Sequence, residues 1–263
     1  GVALSQADLS EVLLPSLGTI LLGLVIPTLA FYLLAFFTKL DVVNRGALAA
    51  HYGSTSLVTF SAAIIFLDAR GIEFEGFVTT LLAIMEIPGI IIGLLLASRG
   101  LKREINWRQS LREVLTAKSI LLLAGGLAIG ALTGTTGYER IEPFFGSIFT
   151  GVLTLFLLEM GIVAGRRLPD VRQAGFGLVI FSLGFPVLAG LLGITVGHLT
   201  GLSIGGSAIL GVLAASASYI AAPASVRLAL PEASPGIYLT AALGITFPFN
   251  LIFGIPLLIA GSE

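Results

Sequence analysis

The chain has 263 residues, of which 56% are hydrophobic and only 11% charged, whereas a soluble domain carries about 25% charged residues. With a mean hydropathy of +1.03, this composition excludes a water-soluble domain and indicates a polytopic membrane protein. A net charge of −1 excludes a basic nucleic-acid footprint, and the absence of Cys excludes a disulfide framework and any Cys-ligated metal site.

About 20 apolar residues cross the roughly 30 Å hydrocarbon core. Eight spans are predicted, over 12–37, 43–67, 76–98, 114–133, 144–164, 172–198, 203–228 and 236–260. The connections are short and polar, the longest at 99–113, and Gly1-Val2-Ala3 lacks the basic region and cleavage site of a signal peptide. Placing 99–113 in the cytoplasm puts Arg99, Lys102, Arg103, Arg108, Arg112 and Lys118 inside. The same alternation puts Lys39, Arg45, Arg166, Arg167, Arg172 and Arg227 inside as well, leaving only Arg70 and Arg140 outside. That asymmetry is what the positive-inside rule requires. Both termini come out external.

The second span is interrupted by Ala49-Ala50-His51-Tyr52-Gly53-Ser54-Thr55-Ser56, and the seventh by Ala214-Ala215-Ser216-Ala217-Ser218-Tyr219-Ile220-Ala221. Both runs are small and hydroxyl-rich. Irregular backbone at membrane depth is tolerated only where it is buried in protein or lines a cavity. Gly53 lies roughly 15 Å into its span and Ser216 to Ser218 roughly 20 Å into theirs, so both breaks fall near the midplane.

An internal repeat connects the two runs. Ile26-Pro27-Thr28-Leu29-Ala30 matches Phe185-Pro186-Val187-Leu188-Ala189, and Gly76, Thr80 and Pro88 match Gly236, Thr240 and Pro248 at constant offset. Spans one to three therefore repeat as six to eight. Corresponding spans sit five apart and run in opposite directions, the inverted repeat of many secondary transporters. The expectation is a ten-helix, two-repeat all-α protein from which eight helices are present. Residues 1–98 would hold the last three helices of an incomplete first repeat, 99–113 the cytoplasmic connection, and 114–263 a complete second repeat.

Two antiparallel broken helices can aim half-helix N-termini at one point. Such a terminus offers free N–H groups and about half a positive charge, which holds an anion without a buried Lys or Arg. Ser54, Thr55, Ser56 and Ser218 add hydroxyls that both donate and accept. Hydroxyls and freed carbonyls also suit sodium, a hard cation, by extension from calcium and magnesium. Small residues in membrane helices also serve close packing, the structural alternative for each run. His51 is a candidate proton-coupling group, with a packing role as its alternative. Glu86 and Glu159 are the carboxylates well inside spans, where ionisable residues are functional candidates. Glu86 precedes Pro88 and could face a cavity beside Thr80. Glu159 fits an ion pair with Arg166 or Arg167. Thr246, the repeat-mate of Glu86, is a further cation contact. No nucleophile–base pair or metal cluster is visible, so an enzyme and a bound cofactor are not expected.

At Gly53-Ser54-Thr55, Met85-Glu86-Ile87-Pro88, the run from Ala214 through Pro223 and Arg227, and the Pro231 to Pro235 turn, the chain resembles the sodium-dependent bicarbonate transporter family of bacterial inorganic-carbon uptake. The resemblance implies ten spans in two inverted five-helix repeats and elevator-like movement. It implies bicarbonate held by Gly53, Ser54, Thr55, Ser216, Ala217 and Ser218. Sodium would sit beside it as the coupling ion, at Ser56, Tyr219, Glu86, Thr80 and Thr246. It further implies a homotrimer in the bacterial plasma membrane and a PII-like cytosolic regulator. The chain differs from the family pattern at Glu86 and Tyr219, where Asp is usual, at His51 and Tyr52, usually small, and in its shorter 99–113 connection. The alternatives are a symporter of another small or organic anion, proton-coupled through His51, and a non-transporting membrane protein.

Overall fold

The computed structural model describes residues 1–101, 107–171 and 175–263. Helices account for every regular element, and no strand occurs among the described residues. A short α1, Val2–Gln6, leads into α2, Leu9–Phe37. The Asp8 side chain starts α2 by accepting the Ser10 N–H, a role favoured for short polar residues at helix N-termini.

Next comes α3, Val42–Gly53, N-capped by Asp41, followed by α4, Leu57–Asp68, N-capped by Ser56. Beyond them lie α5, Val78–Leu101, α6, Trp107–Leu115, α7, Lys118–Phe145, and α8, Phe149–Val171. The last third holds α9, Phe176–Leu199, α10, Ile204–Ala215, α11, Ala221–Ala229, and α12, Pro235–Ala260. Within α12, Thr240–Thr246 and Asn250–Gly254 wind as π-helix on either side of Pro248. Proline removes a backbone donor and forces such adjustments.

Close backbone approach builds the core. α3 packs against α5 and α2, and α10 against α9. A Cβ on Gly89 would collide with the carbonyl of Gly53, one on Gly93 with the backbone of Ala50, and one on Gly46 with the methyl of Ala97. Gly89, Gly93 and Ala97 recur every fourth residue, the small-residue spacing that lets membrane helices touch. On the other side, a Cβ on Gly193 would meet the Leu210 carbonyl at 2.7 Å and Gly211 Cα at 2.8 Å. Outside this core the surface is apolar: Phe36 is 83% and Leu132 87% exposed, which suits lipid and not water.

Several expectations change. Among the described residues seven helices, not eight, are long and apolar enough to cross a membrane, with α3 and α4 together, Val42–Asp68, as one of them. The predicted crossing 203–228 splits into α10, of 12 residues, and α11, of nine, because residues 216–220 leave the helix between them, a longer break than 54–56 between α3 and α4. Expected as a loop, residues 134–143 instead continue α7 to Phe145; only Gly134 departs, at φ 60° and ψ −161°. Polar residues lower the hydropathy there without stopping a helix, and Gly alone takes that conformation freely. Within the 99–113 connection α6 begins and runs past it to Leu115, with Val114 buried. Lys102, Arg103 and Arg172, used in the charge argument, lie outside the described residues. Glu159 is exposed, and Arg167 pairs instead with Asp170 at 3.3 Å.

Candidate functional site

The two breaks have matching local geometry. α3 and α10 are each 12 residues long and each starts from a side-chain cap, Asp41 accepting from Asn44 N–H and Ser203 from Gly206 N–H. Each ends at a serine in extended conformation, Ser54 at φ −106°, ψ 161° and Ser216 at φ −82°, ψ 163°. The chain re-enters helix at Leu57 in the first case and Ala221 in the second.

The breaks touch. The Ser56 N–H donates to Ser216 Oγ at 2.9 Å, and the Ser218 N–H donates to the His51 carbonyl at 2.8 Å. Ser56 Oγ lies 3.4 Å from the Tyr219 hydroxyl. Two interruptions far apart in sequence thus form one buried polar crossing. Neither break contains a Lys or Arg, so the positive potential available there comes from the starts of α4 and α11.

Serine hydroxyls already take part of that potential. Ser56 Oγ accepts the Thr59 N–H at 3.2 Å, and Ser218 Oγ accepts the Ala222 N–H at 3.2 Å. Ser216 Oγ donates to the Leu213 carbonyl at 2.8 Å while accepting from Ser56, so its hydrogen is committed. Ser54 Oγ and Thr55 Oγ1 differ: both are buried without a hydrogen-bond partner among the described residues. Buried polar atoms are normally paired, so these two mark where the crossing is chemically open. Gly53 is packed between Pro27 and Gly89 and supplies backbone alone. Ala217 is buried between Ser216 and Ser218.

Among the cation candidates, Ser56 and Tyr219 are joined at the crossing, with the Tyr219 ring against Phe247 at 5.3 Å. Thr246 belongs to a different network. Its hydroxyl donates to the Ser182 carbonyl at 2.8 Å, so the Tyr52 hydroxyl, 2.7 Å away, is the donor to it. That network ties α3, α9 and α12 together. Thr80 Oγ1 is buried without a partner among the described residues, and Glu86 is buried at 7% exposure. Glu86 lies about one turn before Gly89, whose backbone meets Gly53.

Sequence reasoning passed over Asn250. Its Nδ2 donates to the Ala215 carbonyl at 2.8 Å, capping the acceptor that the second break frees, and its Oδ1 is buried without a partner among the described residues. A lone amide inside an apolar span, two residues after Pro248, was the available signal. Tyr238 was also passed over; its ring stacks on His51 at 4.4 Å.

Among curated proteins, the chain is 32% identical over 94 residues to CDP-archaeol synthase of Thermococcus gammatolerans, an alignment covering 30% of this chain and 55% of that protein. The chain thus spans about half the length of that relative. The model of the Na+-dependent bicarbonate transporter superfamily matches residues 1–263, the full sequence, and the chain belongs to that family.

Proposed function

We propose that the protein imports bicarbonate by sodium symport across the plasma membrane, with the anion held where the two broken helices cross. The observation that carries the reading is the pair of buried hydroxyls of Ser54 and Thr55, without a partner among the described residues, beside the Ser56–Ser216 contact. An oxyanion there would accept from those hydroxyls and from the first-turn N–H groups of α4 and α11 that Ser56 and Ser218 do not already engage, Pro223 having none, without a costly buried cation. Sodium would sit at the carboxylate and hydroxyl oxygens of Glu86, Thr80, Ser56 and Tyr219. Thr246 drops out of that set in this conformation, since Tyr52 and Ser182 occupy its hydroxyl.

The reading also takes the second break as an eighth membrane crossing and the halves as an inverted repeat. Two contacts between the halves support this. The Glu75 carboxylate, just before α5, accepts the Ser203 N–H at 2.6 Å at the start of α10. Likewise Asn44, at the start of α3, accepts the Ser234 N–H at 2.9 Å just before α12. In both contacts a side chain of the first half accepts a backbone N–H at the start of a helix of the second half, Glu75 at α10 and Asn44 at α12. A homotrimer and a PII-like cytosolic partner are part of the same proposal, resting on family membership. The likeness to a synthase covers 30% of the chain, against a family match over all of it, so transport is preferred over catalysis.

The test is uptake of labelled bicarbonate into proteoliposomes under an inward sodium gradient, with sulfate and small carboxylates in parallel. Bicarbonate accumulation that needs sodium is expected. Equal accumulation with potassium would reject the coupling, and preference for sulfate or a carboxylate would reject the substrate.

A further inference from the structure

We propose that α6 lies on the membrane surface and binds anionic phospholipid there, with Leu111 and Leu115 entering the bilayer and Arg108 and Arg112 taking the lipid phosphates. The inference does not depend on which anion is transported. At 3.6 residues per turn, Leu111 and Leu115 stand about 40° apart around α6, and Arg108 follows about 20° beyond Leu115, with Arg112 about 40° further on. The leucines are 37% and 50% exposed, and both arginines are exposed. Val114, about 60° from Leu111 on the other flank, is buried. α6 packs against α11, α5 and α7, so the protein holds the helix at a set rotation while its leucine–arginine edge faces outward.

What covers that edge follows from where α6 sits. It joins the end of α5, at Leu101, to the start of α7, at Lys118. Both neighbours are long and apolar enough to cross a membrane, so α6 lies where two spans leave the bilayer by the same face. α7 is exposed from its first turns, with Leu121 at 55% and Leu122 at 77%, and none of its apolar window is buried within the protein. Leucines bordered by basic residues are the pattern of a helix that lies among lipid headgroups. Arginine can run its stem along apolar surface while its guanidinium reaches the polar layer, and its planar fork matches phosphate oxygens in pairs. Arg99, in the last turn of α5, and Lys118 are exposed as well, adding positive charge where the spans emerge. The charge asymmetry assigns this connection to the cytoplasmic side, whose leaflet carries anionic lipid. An anionic headgroup, and not a neutral one, is therefore the complement of this edge.

The chain has no Cys, so Leu115→Cys can carry a single fluorescent label. The experiment places this full chain in bilayers of phosphatidylglycerol and phosphatidylcholine, one or the other brominated, and reads quenching of the label. Both lipids should quench, phosphatidylglycerol more strongly at equal mole fraction, and its advantage should shrink in high salt. Arg108→Gln and Arg112→Gln, both at exposed positions, should each lower the phosphatidylglycerol preference by roughly fivefold. No quenching by either lipid would put the edge in water or against a soluble partner and overturn the inference. Equal quenching by the two lipids would overturn it too, as would an undiminished preference in the double arginine variant. Thermal protection of the unaltered, detergent-solubilised protein by each lipid needs no variant to fold. Phosphatidylglycerol should protect more than phosphatidylcholine there, and equal protection would count as refutation.

Discussion

The Ser56 N–H donates to Ser216 Oγ across 160 residues of sequence. The residue that caps the start of α4 thus meets the one that ends α10, at the point where both helices break. Ser216→Ala would leave the buried Ser56 N–H without its acceptor. A loss of about 1–3 kcal/mol is expected, read as a lower midpoint in denaturant unfolding of the detergent-solubilised protein. An unchanged midpoint would show that the contact is incidental.

Ser54 and Thr55 should respond in the opposite way. Their hydroxyls have no protein partner among the described residues, so Ser54→Ala and Thr55→Val forfeit no internal hydrogen bond. Stability should stay within about 0.5 kcal/mol of the parent, while bicarbonate uptake falls roughly tenfold or more. Full uptake in both variants would place the anion elsewhere.

Gly89→Ala should be poorly tolerated, because its methyl would overlap the Gly53 carbonyl and part α3 from α5 at the first break. Overpacking of this kind costs about 1–3 kcal/mol. Gly184→Ala is the matched control, since nothing lies within 4 Å of the Cβ added there. Comparable thermal midpoints for the two variants would argue against backbone contact between α3 and α5.

Asn250→Leu keeps the branched side-chain shape and removes the donor to the Ala215 carbonyl. The buried end of α10, its Ala215 carbonyl left unpaired, should then lose about 1–3 kcal/mol of stabilisation. Hydrogen exchange would show faster opening of the last turn of α10, with α9 unaffected. Uniform exchange across both helices would count against a capping role.

Glu75→Ala removes the carboxylate that accepts from both the N–H and the hydroxyl of Ser203. Loss of an N-terminal cap typically costs about 0.5–2 kcal/mol. The effect should appear at the first turn of α10, although the substitution is on the loop before α5. Local exchange rates unchanged at Ile204–Ser207 would dismiss this contact between the halves.

Membrane residence, most of the spans and the location of both breaks are legible in the sequence, because they depend on local properties. Hydropathy summed over about 20 residues reports burial in lipid, and runs of small and hydroxyl residues interrupt it visibly around Ser54 and Ser216. Local reading failed where polarity was mistaken for a loop: 135–143 and 107–113 are polar enough to interrupt a hydropathy profile yet fold as helix. It could not say which polar atoms stay open. Ser54, Thr55, Ser216 and Thr246 look alike in a list of hydroxyls, but Ser216 is engaged by Ser56 and Thr246 by Tyr52 and Ser182. Those partners lie 160, 194 and 64 residues away. Hydrogen-bond satisfaction is settled by packing between distant helices, so only the tertiary structure separates a hydroxyl that holds the fold from one left without a partner among the described residues.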